Sequence, residues 1–137
     1  MNLLFCLLVL FSYQQPEVMV HDSALIGEWE WIRTKYYYMG SEPYEINPQT
    51  NKCTHIVKFS NDGYVYIYRN DTFVYRGLYT ISKSLLDGSM FLNTIKVLGT
   101  WYFLIPYAPY SIRNNFLMID GAANDQFGDS YLKKINR

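Results

Sequence analysis

Cysteine is almost missing from this chain. Only Cys6 and Cys53 occur. One lies inside an apolar run and the other at the start of a β-prone stretch, so no disulfide framework is indicated. Histidine is as scarce. His21 and His55 are far apart, and no spacing gathers further ligands around them, so no metal site or cofactor is expected. Charge of one sign is missing too: Lys+Arg 12 against Asp+Glu 12 gives a net charge of zero. Without a basic stripe, nucleic acid is not an expected partner. Gly-x-Ser-x-Gly, His-Glu-x-x-His, a phosphate-cradling glycine loop and Cys-x-x-Cys are all absent, and no enzyme is expected. No stretch holds a helical period, and no repeat is visible.

Long apolar runs are also lacking, with one exception. Residues 3–11 are apolar throughout. A helix needs roughly 20 residues to cross a bilayer, so no membrane span is expected. The run resembles the core of a secretory signal peptide, without a preceding Lys or Arg. The expected organisation is a signal-like segment over 1–15, a linker over 16–24 and one domain over 25–137. Export to the periplasm, the cell surface or the medium follows from that reading. Cys6 does not suit a lipid anchor, because Phe5 rather than a small residue precedes it.

What the chain has in abundance is aromatic side chains: 14 Tyr, 8 Phe and 3 Trp. They favour strands and surfaces that are apolar at one end and wet at the other. Residues 52–82 carry the clearest pattern. Three runs rich in Val, Ile, Thr, Tyr and Phe are split by Asn61-Asp62-Gly63 and by Asn70-Asp71. Such turns tolerate the positive φ that tight hairpins need, which predicts a three-strand meander. A first strand is expected over 25–34, with further strands over 90–97, 100–105, 116–120 and 129–135. Pro106 and Pro109 break the stretch between. Residues 36–52 read as a long loop. About eight antiparallel strands linked mostly by hairpins predict an all-β, up-and-down barrel, whose closure removes exposed edges.

Gly27-Glu28-Trp29 resembles the Gly-x-Trp signature of lipocalins. With Val57-Lys-Phe-Ser-Asn-Asp-Gly63, Gly77-Leu-Tyr-Thr-Ile81 and the closing Tyr131-Leu-Lys-Lys, residues 25–135 resemble the lipocalin-like secreted domains common in Bacteroidetes. The resemblance implies a small calycin-type barrel in an exported protein and no known reaction. A lipocalin usually sets an Arg against the signature Trp; here Lys133 or Arg137 is the expected cover for Trp29.

Strand alternation places Trp29, Trp31 and Arg33 on one face. If that face is inward, a small apolar or amphipathic ligand would meet Trp31, Arg33 and Tyr79 in the barrel. Across the Asp62-Gly63 turn, Val65 and Ile67 are expected inside, leaving Tyr64, Tyr66 and Tyr68 as an outer stripe. The alternative function is therefore a filled barrel that meets a protein or polysaccharide through its tyrosine-rich face or loop. The remaining acids need no special role: Asp62, Asp71, Asp87 and Asp120 sit where Asp commonly caps turns. His55 reads as an ordinary strand residue.

Overall fold

The computed structural model describes residues 16–37, 42–95, 107–121 and 128–136. The signal-like run at 3–11, the strand expected over 100–105 and Arg137 lie outside them. The elements are β1 (Glu17–Val20), β2 (Gly27–Tyr36), β3 (Tyr44–Ile46), the one-turn α1 (Pro48–Asn51), β4 (His55–Phe59), β5 (Tyr64–Arg69), β6 (Thr72–Ser84), β7 (Met90–Ile95), β8 (Tyr107–Arg113), β9 (Phe116–Ile119) and β10 (Asp129–Lys134). Eight strands, β2 and β4 to β10, form a closed antiparallel barrel. Neighbours round the ring follow chain order, and the β10–β2 pairing closes it.

The turns follow their chemistry. Asn70 and Asp71 both take positive φ (48° and 63°), as do Asn114 and Asn115 (49° and 64°), which is the backbone of two-residue hairpin turns. Glycine is required at Gly63, with φ 86°. In α1 the Asn47 side chain accepts from the Thr50 N–H while Thr50 Oγ1 accepts from the Asn47 N–H, a reciprocal cap for one turn of helix.

Three segments differ from expectation. Residues 17–20, read as linker, form β1 and pair with the far half of β6. The Glu17 carboxylate accepts hydrogen bonds from Tyr107 Oη and, at 2.9 Å, from Ser82 Oγ, tying β1 to β6 and β8. Residues 44–46, read as loop, form β3 on β2. Pro109, read as a breaker, sits within β8 opposite Phe91. Its carbonyl accepts from Asp120 N (2.9 Å), so a missing N–H would point the same way, just past the end of β9 where the ladder has stopped.

From β1 the chain must pass from β6 to β2, three strands round the ring, and residues 21–26 cross one end of the barrel to do so. Leu25 enters the core from this crossing. Trp29 is fully buried above it, and its Nε1 donates to the Leu25 carbonyl at 2.8 Å. Lys134 covers the indole, with Nζ 5.3 Å from the ring centroid and bonded to the Ala24 carbonyl at 3.2 Å. The cover expected from Lys133 is thus corrected by one residue: Lys134 is the Cα partner of Trp29, whereas Lys133 pairs with Glu30 and is exposed. Phe59, Val57, Ile67, Val65, Leu92, Leu117, Ile119 and Leu132 fill the interior around the two tryptophans.

The faces of β5 fall as expected. Val65 and Ile67 are fully buried, while Tyr64, Tyr66 and Tyr68 are half-buried on the outside. Ile67→Ala should cost about 2–5 kcal/mol as a core truncation. Tyr66→Ser should stay within about 1 kcal/mol, as surface substitutions do. Urea melts of the two variants check this; the reverse order would mean that the tyrosines line the interior.

Candidate functional site

The three residues singled out for a ligand do not meet at one place. Trp31 and Tyr79 both belong to the core. Trp31 Nε1 donates to Thr34 Oγ1 (2.9 Å), which lies 2.9 Å from Ser130 Oγ. Tyr79 packs edge-on against Phe59, and its hydroxyl donates to the Ser60 carbonyl at 2.8 Å, at the crossed end of the barrel. Burial first, then the charges of Asp62 and Asp22, raise its pKa. Arg33 leaves the group. Between Arg33↔Tyr131 and Trp31↔Leu132 the register of β2 against β10 slips, because Ile32 is an extra residue without a partner. This bulge reverses the alternation, so Thr34 is buried and Arg33 turns outward. Its guanidinium lies 4.8 Å over the Tyr131 ring.

The interior beyond Trp31 is more polar. Thr34, His55 and Ser130 are all buried there. His55 meets the Trp31 indole edge-on, with centroids 5.6 Å apart, and its Nε2 lies 3.5 Å from Cys53 Sγ. Burial, followed by the charge of Arg69, brings the imidazole down from 6.5 to about 4. The imidazole is therefore neutral near pH 7 and packs beside a buried thiol. Between about pH 6.5 and pH 4 the unfolded chain holds a proton on this residue that the folded chain does not, so stability falls as the pH drops through that window. Above it His55 has no effect. Allowing for solvent screening, the loss is on the order of 1–2 kcal/mol. Urea melts at about pH 7.5 and about pH 5 should show a flatter dependence for His55→Gln than for the parent chain. Equal slopes would mean that His55 is solvated.

The outer face of β4, β5 and β6 carries a connected group of aromatic rings. Tyr64 and Tyr66 tilt together (6.4 Å), and Phe73 meets both Tyr66 (6.5 Å) and Tyr68 (6.0 Å). Arg76 lies 4.8 Å over Tyr64, and Lys58 5.9 Å over Tyr66. Phe73, Val74 and Leu78 on β6 are exposed at 54%, 42% and 46%. Sequence reading found the tyrosine column but not these β6 partners. A simple hairpin about Asn70-Asp71 would set Tyr66 opposite Tyr75; a bulge at Val74 sets it opposite Arg76 instead. Lys58 opposite Tyr66 was within reach, from the alternation on either side of the Asp62-Gly63 turn.

Two open grooves of about 380 Å³ each are lined by described residues, and both lie outside the core. One sits beside the aromatic face, between Glu28, Ile56, Tyr68 and Asp71. The other lies near the turn between β6 and β7, along Met90, Pro109 and Met118. Among the described residues no group of three or more His, Cys, Asp or Glu side chains could hold a metal ion, and no helix is long and apolar enough to cross a membrane. No family model, no curated protein and no solved structure matches the chain.

Proposed function

We propose that this barrel is a non-catalytic binding module of an exported protein, and that it meets another macromolecule through the outer aromatic face of β4, β5 and β6. The observation that carries the reading is the division of β5. Its aliphatic side chains are spent on a filled core, while Tyr64, Tyr66 and Tyr68 join exposed Phe73, Val74 and Leu78 on the outside. Contiguous exposed apolar surface of this kind marks interaction sites, and tyrosine is enriched in them. Cations over two of the rings hold them in place before any partner arrives.

Display libraries of peptides and of glycans test the reading. Binders selected on the parent chain should lose at least about tenfold in affinity on the double variant Tyr66→Ser/Phe73→Ser, as expected when interface anchors are removed. They should be unaffected by Phe116→Ser, an exposed position on β9 across the barrel. Equal effects of the two variants would overturn it.

A second reading has one observation in its favour: the polar interior around Thr34, His55 and Ser130 could orient a small amphipathic ligand beside Trp31. Native mass spectrometry of the protein from its source would then show a retained small molecule. Export carries its own test. Intact mass of the mature chain should place its start between residues 12 and 16, ahead of β1; a soluble cytoplasmic form retaining Met1 would rule export out.

A further inference from the structure

The three outward tyrosines of β5 are not treated alike. Arg76 lies over Tyr64 and Lys58 over Tyr66. Among the described residues no cation lies over Tyr68. That ring instead forms a wall of the groove of about 380 Å³ whose other lining residues are Ile56, Glu28 and Asp71. Among the described residues the lining thus holds two carboxylates, an aromatic and an aliphatic side chain, and no basic one. Ile56 stands directly opposite Tyr68, and Asp71 is held in place by the turn that follows β5.

We propose that this groove takes a basic side chain of a partner polypeptide, stacked on Tyr68 as Arg76 and Lys58 are on the neighbouring rings, with its charge met by Asp71. The inference rests on the proposed use of this face as an interaction surface and names what part of it recognises. A cation over an aromatic ring is attracted by the ring's quadrupole, and a nearby carboxylate adds a charge-assisted hydrogen bond. Arginine suits the site better than lysine, because its flat guanidinium can stack and bind a carboxylate through two donors at once. A sugar is the poorer occupant. Tyr68 and Phe73 meet at 67° and Tyr66 and Phe73 at 54°, so the rings make no flat platform for a pyranose to lie on.

The test titrates the full chain with the blocked peptide Ser-Gly-Arg-Gly-Ser, followed by NMR of the backbone amides. Ser-Gly-Gln-Gly-Ser and a neutral oligosaccharide serve as comparisons. The Arg peptide should shift the amides around Tyr68 and Asp71, and bind less tightly as salt rises from about 50 to about 500 mM. Asp71→Asn should weaken it about fivefold or more, since the acceptor loses its charge and one of its two accepting oxygens. Asn tolerates positive φ, so this variant keeps the turn. Tyr68→Leu, which keeps an apolar wall, should weaken it as well. Binding of the Gln peptide or the oligosaccharide as tightly as the Arg peptide would overturn the proposal, as would an Asp71→Asn variant that binds like the parent. If the Arg peptide fails to bind while display-selected binders still depend on Tyr66 and Phe73, the groove assignment falls and the interaction face stands. If both fail, both fall.

Discussion

Replacing Trp29 by alanine should lower stability by about 3–5 kcal/mol, the range for removing a buried aromatic side chain. The indole is 0% exposed and stands at the end of the barrel that residues 21–26 cross. Its removal does three things at once. It opens a cavity between Leu25, Val57 and the strands that flank β2. It leaves the Leu25 carbonyl without its 2.8 Å donor, and a buried acceptor without a partner costs about 1–3 kcal/mol. It also uncovers Lys134, whose Nζ then has only the Ala24 carbonyl to hold it over this end. Trp29→Phe keeps most of the packing and loses the hydrogen bond, so it should fall between the two. Denaturant melts of both variants check this. A loss below about 1 kcal/mol for Trp29→Ala would mean that the crossing segment is not anchored by this residue.

Trp29 also shows why part of the fold could be read in advance. Its place follows from local signals that agree with one another: Gly27 opens the strand, alternation puts residues 29 and 31 on one face, and the meander supplies the apolar partners Val57 and Ile67 at matching register. The hairpin turns of the meander were legible for the same reason, since Asp-Gly and Asn-Asp each advertise a backbone that few residues adopt. One kind of misreading comes from places where the count of residues slips. Ile32 is one residue too many for β10, and that single insertion moves Arg33 from inside to outside. Val74 likewise shifts the partners of Tyr64 and Tyr66 by one residue. Bulges carry no residue signature here, so period-two reading runs straight through them.

Other features were hidden because they depend on what lies beside them in space. Glu17-Val-Met-Val has no flanking turn chemistry, and it becomes a strand only because the far half of β6 projects beyond β5 and offers it an edge. Pro109 is tolerated because β9 ends at Ile119. The acidic groove is the strongest case. Glu28, Ile56, Tyr68 and Asp71 come from β2, β4, β5 and the following turn, and no spacing in the chain relates them. The tyrosine column could be foreseen; that its third member would lack the cation its neighbours have could not.

Trp31→Ala separates the two functional readings. The indole is 0% exposed, meets His55 edge-on and donates to Thr34 Oγ1 at 2.9 Å. If the interior is filled, as the outer-face reading has it, removing the side chain empties packed space and should cost about 3–5 kcal/mol. Part of that cost comes from Thr34, which keeps Ser130 as a neighbour but loses the indole donor. Tight packing has a further consequence. The new void would be bounded by Leu132 as well as by Thr34 and His55, and its apolar side can take up benzene or xenon, which would restore part of the lost stability. If instead Trp31 lines a cavity built for a ligand, one side of the ring already faces that space. The substitution should then cost less than about 1.5 kcal/mol, because few contacts are lost and little new void is made. Thermal or urea melts of Trp31→Ala, with and without benzene, distinguish the two. A large loss partly reversed by benzene supports a filled barrel that works through its surface. A small loss, with benzene stabilising the parent chain as much as the variant, would move the binding site from the outer tyrosines to the interior beside His55.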